Sequence, residues 1–327
     1  MYLWEDSILE RHQRLRRRLK LRQLDILLAV AETGSMAKAA TRLAITQPAI
    51  SRAVSDAEHT LGVSLFERSP QGVELTPFGH ALLKRGIAAF DEIEQGIKDI
   101  EFLADPTVGE VRFGTGAGIS EGIVLAVINR LSRQYPRVVF HVAIGQGTAL
   151  FDQLRDRHIE FGFGVWSPEL VRADDIHLEV LFEEPMIVVA GADNPWSRRR
   201  RIKLAELVNE PWTWPPFPSL YDTLVNEAFR VSGLVPPRPA VYTHALNVRI
   251  SLAATGPFLA VVPAGVMNSP GKYPSIRKLP VELPTTQRQI GVVTLRNRTL
   301  SPLAQRVIGC ARELSKPLAK RHAIGKS

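Results

Sequence analysis

The sequence predicts an α/β chain in three parts: an N-terminal winged helix-turn-helix, a long linker helix, and a C-terminal region of two α/β lobes. Three observations carry this prediction. Residues 20–76 hold short amphipathic helices followed by a strand–turn–strand stretch. Residues 77–104 continue as one unbroken helical pattern. From Val108 onward, short apolar strands alternate with helices, the pattern of βαβ units.

The first two helices follow from spacing. Leu24, Leu27, Leu28 and Ala31 recur at i, i+3, i+4 and i+7, then Gly34 stops the helix and Ser35 caps the next. Met36, Ala39, Ala40 and Leu43 repeat the spacing. A third helix spans Thr46 to Leu61, with the Thr46 hydroxyl as its cap and Pro48 tolerated in the first turn. Wound at 3.6 residues per turn, it shows two sides. Ala49, Ile50, Ala53, Val54, Ala57 and Leu61 form an inner, aliphatic side. Gln47, Pro48, Ser51, Arg52, Ser55 and His59 form an outer side with an amide, hydroxyls and a guanidinium, groups that match base edges in the major groove. Such a face on one helix is ordinarily only solvated. The two preceding helices and the wing after it favour the DNA-reading alternative. That wing is LGVSLFERSPQGVELT: a strand, a turn over Pro70-Gln71-Gly72, and a returning strand. Arg68 at its base suits the flanking minor groove, or else a surface position near Glu67.

Thr76-Pro77 starts the long helix, which runs to about Leu103, before Asp105-Pro106. Leu83, Phe90, Ile93, Ile97, Ile100 and Ala104 alternate by three and four, with Gly86 as a gap, giving a seam for a second copy. Asp91, Glu92, Glu94, Asp99 and Glu101 are expected on the solvent side.

In the remaining region, strands are expected at Val111–Gly114, Val138–Ile144 and Phe161–Val165, with helices at Ile119–Gln134 and Ala149–Asp156. A second series has a strand at Pro185–Ala190, a helix near Tyr221–Val231, and strands around Val241 and Leu259–Val262. Parallel sheets with right-handed crossovers follow from this order. Lobe I is placed at about 107–182 plus a C-terminal part, and lobe II at about 183–280. The first crossover is expected near Phe182–Pro185 and the return between Val266 and Thr299. Ligands of such sheets sit beyond the carboxyl ends of strands. The candidates are Thr115, Gly116 and Gly118, then Gly147 and Thr148, then Trp166, and from the second lobe Trp214, His244 and Asn247. Exposed amides there suit a carboxylate, phosphate or sugar hydroxyl. Each residue also has an ordinary reading, as cap, packing group or surface residue.

Composition narrows the classes. At 327 residues, 45% hydrophobic and 23% charged, the chain reads as soluble and globular. No apolar run reaches the ~20 residues that span a bilayer. The N-terminal twenty residues are not expected to be a secretory signal. A single cysteine, Cys310, fits a reducing, cytoplasmic setting. Net charge of +8 suits an anionic partner. A basic N-terminal extension is placed at 1–19, and the run from Glu10 to Arg22, with seven bases and one acid, either reaches DNA phosphates or forms a solvated tail. A second basic run, Arg198–Arg201 with Lys203, reads as a solvated loop. No histidine or cysteine spacing suits zinc, and no cofactor is indicated. Gly118-Ile119-Ser120-Glu121-Gly122 fits G-x-S-x-G, which keeps a serine hydrolase using Ser120 as an alternative. The expected strand end near Gly114 leaves Ser120 too far along for a nucleophile elbow.

Residues 21–79 resemble the winged helix-turn-helix of LysR-type transcriptional regulators. The matching pattern is AA..L..TQPA.S......E..LG..LFER...G..LT..G, a long, ordered signature. The resemblance implies base and phosphate contacts at Thr46, Gln47, Pro48, Ser51 and Arg52, with Arg68 as the wing arginine. Met36 and Ala57 depart from the pattern, at packing rather than contact positions. A weaker resemblance runs on through EVRFGTGAG, Tyr135-Pro136, HIEFGFG, Gly191 to Pro195 and Val262-Pro263. It implies an effector domain resembling periplasmic binding proteins, with ligand between the lobes. The implied partners are double-stranded operator DNA, a small-molecule effector and further copies of the chain as dimer or tetramer. RNA polymerase is among the candidate partners; a membrane is not.

Overall fold

The computed structural model describes residues 19–69, 72–145, 147–166, 171, 174–268 and 273–324. The basic extension therefore lies, up to residue 18, outside the described residues. Contacts divide the chain into two units, Met1–Glu94 and Gln95–Ser327.

The first unit opens with α1 (Leu21–Thr33), α2 (Met36–Leu43) and α3 (Gln47–Leu61). Each stops at a residue in the left-handed region: Gly34, Ala44 and Gly62. Ser35 caps α2, its side chain accepting from the Lys38 amide. Leu27, Val30, Ala39, Ile50 and Val54 meet in one core. Thr46 takes the extended N-cap backbone but its hydroxyl makes no cap bond, contrary to expectation. Ala49 is exposed rather than packed. It follows only one residue before Ile50, so it lies about 100° round the helix from the side that faces the core.

The wing pairs β1 (Phe66–Ser69) with β2 (Gly72–Leu75), antiparallel, from Phe66↔Leu75 to Ser69↔Gly72. Pro70 and Gln71 of the turn lie outside the described residues. Glu58 of α3 fastens the wing: its Oε1 accepts from the amides of Leu65 (2.7 Å) and Phe66 (3.2 Å). Thr76 then starts α4 (Pro77–Ala104), its hydroxyl donating to the Ser64 carbonyl while accepting from the Gly79 amide. A Cβ on Gly79 would stand 2.2 Å from the Leu65 carbonyl oxygen. Gly79→Ala should therefore lower stability by about 1–3 kcal/mol, read by calorimetry of the full chain. An unchanged unfolding profile would mean that the backbone there shifts freely.

Along α4, Leu83 is buried and Phe90 packs on the same core. Ile93, Ile97 and Ile100 are exposed. Asp91 is buried, against the expectation for the acids, while Glu92, Glu94 and Glu101 are exposed. Asp91 lies four residues from the buried Gln95 and shares its side of the helix.

In the second unit, the sheet of lobe I runs in the order β4 (Arg137–Ile144), β3 (Val108–Thr115), β5 (Phe161–Val165), β12 (Arg288–Leu295), β6 (Ile176–Glu184). The sheet of lobe II runs β11 (Ile276–Lys278), β7 (Met186–Gly191), β10 (Leu259–Pro263), β8 (Trp212–Trp214), β9 (Val241–Tyr242). The chain crosses out at Pro185 and returns over 279–287. Both sheets are mixed, not wholly parallel. β12 enters lobe I from its neighbour and pairs antiparallel with β5 and β6, and β7 is antiparallel to β10 and β11.

Local sequence explains the layers. In Phe161-Gly162-Phe163-Gly164-Val165 the side chains alternate. Phe161 and Phe163 join Phe113 in one core, with the Phe113 and Phe161 rings stacked at 5.1 Å. Leu150, Phe151, Leu154 and Trp166 form a separate cluster. A Cβ on Gly114 would come within 2.5 Å of Leu150, so the glycine lets α6 (Ala149–Arg155) approach the sheet. The expected helix Ile119–Gln134 divides into a turn at Ala117–Ile119, a π segment at Ser120–Val124 and α5 (Leu125–Gln134). In lobe II, α7 (Leu220–Val231) covers Trp212 and Trp214 with its own Val225 and Phe229, and α8 (Leu246–Thr255) packs behind β7 and β10. α9 (Pro302–Ile324) covers lobe I.

Candidate DNA-reading face and effector cavity

α3 carries the first candidate site. Ile50, Val54 and Ala57 fix its rotation by burial. Gln47, Pro48, Arg52, Ser55 and His59 are exposed, as is Thr46, and Ser51 is half-buried. Six of the helix's polar or small groups thus stand on one accessible ridge. No acidic side chain is ion-paired to Arg52 among the described residues. Arg68 lies in β1; its side chain is outside the described set.

The second candidate site is a cavity of about 380 Å³ between the two lobes. Lobe I contributes Gly116, Ala117 and Gly118 after β3, Gly147 and Thr148 after β4, and Trp166 after β5. Lobe II contributes Ser219 to Tyr221 at the start of α7, His244 before α8, and Arg249 within it. Of the sequence candidates, Gly116, Gly118, Gly147, Thr148, Trp166 and His244 are brought together here.

Three others are not. Thr115 is fully buried and its hydroxyl donates to the Gly116 carbonyl (3.3 Å). Trp214 is buried under α7 with its indole N–H on Asp222 Oδ1 at 3.0 Å; strand alternation turns it to the core instead of the cavity. Asn247 is exposed, one residue round α8 from the wall formed by Leu246.

The sequence reading does not include Arg249, which is the only arginine or lysine on the wall among the described residues. It is 5% exposed. Nη1 donates to the Val261 carbonyl at 2.7 Å, and Nε has no partner among the described residues. Burial pulls its pKa down to about 10, with the nearby Tyr221 opposing. Among the described residues, no Asp or Glu lines the cavity. A signal for it existed: Leu246, Arg249, Ile250 and Ala253 share one side of α8, so a charge sits on an apolar face.

Beside the cavity, the crossovers are held by a buried pair. Glu184 Oε1 bonds Arg288 Nη2, and Glu184 Oε2 accepts from the Gly265 amide at 2.7 Å. The Arg288 guanidinium lies 5.2 Å from the centre of the Tyr221 ring. Tyr273 donates to Glu121 Oε2 (2.9 Å), and burial, then that bond, pushes its phenol up to about 12. Ser120 sits in the π segment, not on a strand-to-helix elbow, and its hydroxyl donates to the Ala117 carbonyl at 2.7 Å. Among the described residues there is no His, Cys, Asp or Glu cluster that suits a metal, and no helix is long and apolar enough to cross a membrane.

A winged helix-turn-helix joined to a two-lobed domain with an interlobe cavity defines a class: DNA-binding regulators that carry a ligand-binding domain. The comparisons make this specific. Residues 21–80 match the family described as bacterial regulatory helix-turn-helix protein, lysR family, and residues 104–316 match the LysR substrate binding domain. The chain belongs to the LysR family of transcriptional regulators. It is 27% identical over 308 residues to the HTH-type transcriptional regulator GbpR of Azospirillum brasilense, covering 94% of this chain and 90% of that one. It resembles a full-length OxyR variant from Pseudomonas aeruginosa (TM-score 0.64, 22% identity, 91% of this chain and 95% of that chain). It also resembles full-length CbnR complexed with its target DNA (TM-score 0.53, 25% identity, 91% of this chain and 100% of that chain). The family is one of regulators, not enzymes, and the serine hydrolase alternative has no support.

Proposed function

We infer that the ridge of α3 reads operator sequence in the major groove, and that the interlobe cavity takes the effector that switches the protein. Gln47, Ser51 and Arg52 supply base-edge contacts; Thr46, Pro48 and the wing residue Arg68 set phosphate and minor-groove register. Gly116, Gly118, Gly147, Thr148, Trp166 and His244 form the effector wall, with Thr115 and Trp214 shaping it from behind. The observation that supports the first part best is the two-sided α3, anchored by Ile50, Val54 and Ala57 and polar on its open side.

The exposed Ile93, Ile97 and Ile100 of α4 support pairing of two copies, which would present two ridges to two half-sites. A cytoplasmic setting follows from that DNA role. Effector binding shifts lobe closure and so the spacing of the paired heads. Footprinting on operator DNA with and without effector tests this. The expected result is a changed protected region. Gly118→Val should abolish that change, because a Cβ there already stands 2.9 Å from Pro263 and 3.5 Å from the Tyr221 hydroxyl. An unchanged footprint in the wild type would remove the switch.

A further inference from the structure

We propose that the occupant of the cavity is a small organic anion, a carboxylate on an apolar body, and that Arg249 holds its charge. The proposal rests on the cavity being the effector site. Arg249 is buried, and it lines the cavity. Its one bond among the described residues goes to a neutral backbone carbonyl, that of Val261. Arg288 makes the contrast. It is as deeply buried and lies against the Tyr221 ring, yet Glu184 neutralises it. Of these two buried guanidinium groups, one has a counter-charge among the described residues and the other does not. A buried cation with no counter-charge is unfavourable unless something else completes it.

Trp166, on the same wall, carries a second unpartnered donor: its indole N–H is buried and has no partner among the described residues. The ring is held by stacking on Phe151 at 4.9 Å, so the N–H is fixed in place. The rest of the wall sets the shape of the occupant. Leu150, Phe151, Val165, Leu246 and Pro263 give an aliphatic and aromatic lining. One guanidinium, with no lysine beside it among the described residues, suits a single negative charge better than a phosphate dianion. The volume, 380 Å³, falls in the range of small-molecule sites.

The test is calorimetric titration of the full-length protein with phenylacetate, isovalerate and cinnamate, each against its own primary amide. The expected result is at least about tenfold tighter binding of the best carboxylate than of its amide, as loss of a charged hydrogen bond implies. Arg249→Met should erase that difference and Arg249→Lys should keep part of it. Nitrate should compete with the carboxylate on the wild-type chain, a readout that needs no variant to fold. Amides binding as tightly as acids would overturn the anion assignment and leave the cavity as effector site. Failure of every carboxylate at millimolar concentration would also overturn it. Carboxylate binding that persists in Gly118→Val would instead sink the reading of the cavity itself.

Discussion

Replacing Gln47 by alanine will relax base preference at one operator position while leaving binding to unrelated duplex nearly intact. Gln47 opens α3, is exposed, and stands one turn from Ser51 on the same ridge. Its amide can donate and accept at once, which is what an adenine edge in the major groove offers. A well-formed bidentate contact is worth about 1–3 kcal/mol of discrimination, so the preferred base should lose roughly 5- to 150-fold of its advantage. Arg52, also exposed, should behave in the same way if it meets a guanine, and should lower the salt dependence if it meets a phosphate. Competition binding against single-base variants of the operator separates the two. Retention of full base preference in Gln47→Ala would assign the reading face to other residues.

Glu184→Ala should destabilise the two-lobed domain by about 3–5 kcal/mol, the usual cost of leaving one partner of a buried pair alone. The carboxylate serves two ends. One oxygen holds Arg288, whose side chain is fully buried, and the other accepts from the Gly265 amide. Glu184 ends the strand that leaves lobe I and Arg288 begins the strand that returns, so the pair ties both crossovers together. Removing the carboxylate strands a charge and an amide at the same place. The exposed pair Arg42–Glu32 is the control: breaking it should cost no more than about 1 kcal/mol. Urea unfolding followed by tryptophan fluorescence reads both, since Trp166, Trp196, Trp212 and Trp214 lie in the lobes. A double change, Glu184→Met with Arg288→Met, should recover much of the loss. Equal, small effects at both pairs would show that Arg288 finds water or another acceptor.

Local signals made the head legible. The spacing of Leu24, Leu27 and Leu28, the stop at Gly34 and the Thr76-Pro77 start are all read within a few residues, and α1 to α4 follow them. β5 was legible for the same reason: a five-residue apolar run with clear ends. The sheets were not. β12 pairs Ile290 with Val165, antiparallel, across more than a hundred residues, so its direction has no local trace and the strand–helix order alone points to a parallel sheet. Asp91 looks like a solvent acid in the heptad pattern; burial of that side of α4 is a tertiary fact. In the cavity, rules about strand ends located the glycines and Thr148. They could not locate Trp214, whose facing depends on the pleat, nor Arg249, which comes from a helix packed behind another strand.

Methylation interference on an operator duplex tests the reading ridge most directly. Methyl groups on guanine in the major groove should block the wild-type protein in two clusters about one helical turn apart, and the block at one position should vanish in Arg52→Ala. Interference confined to the minor groove, or a pattern that Gln47→Ala and Arg52→Ala both leave unaltered, would show that α3 does not lie in the major groove.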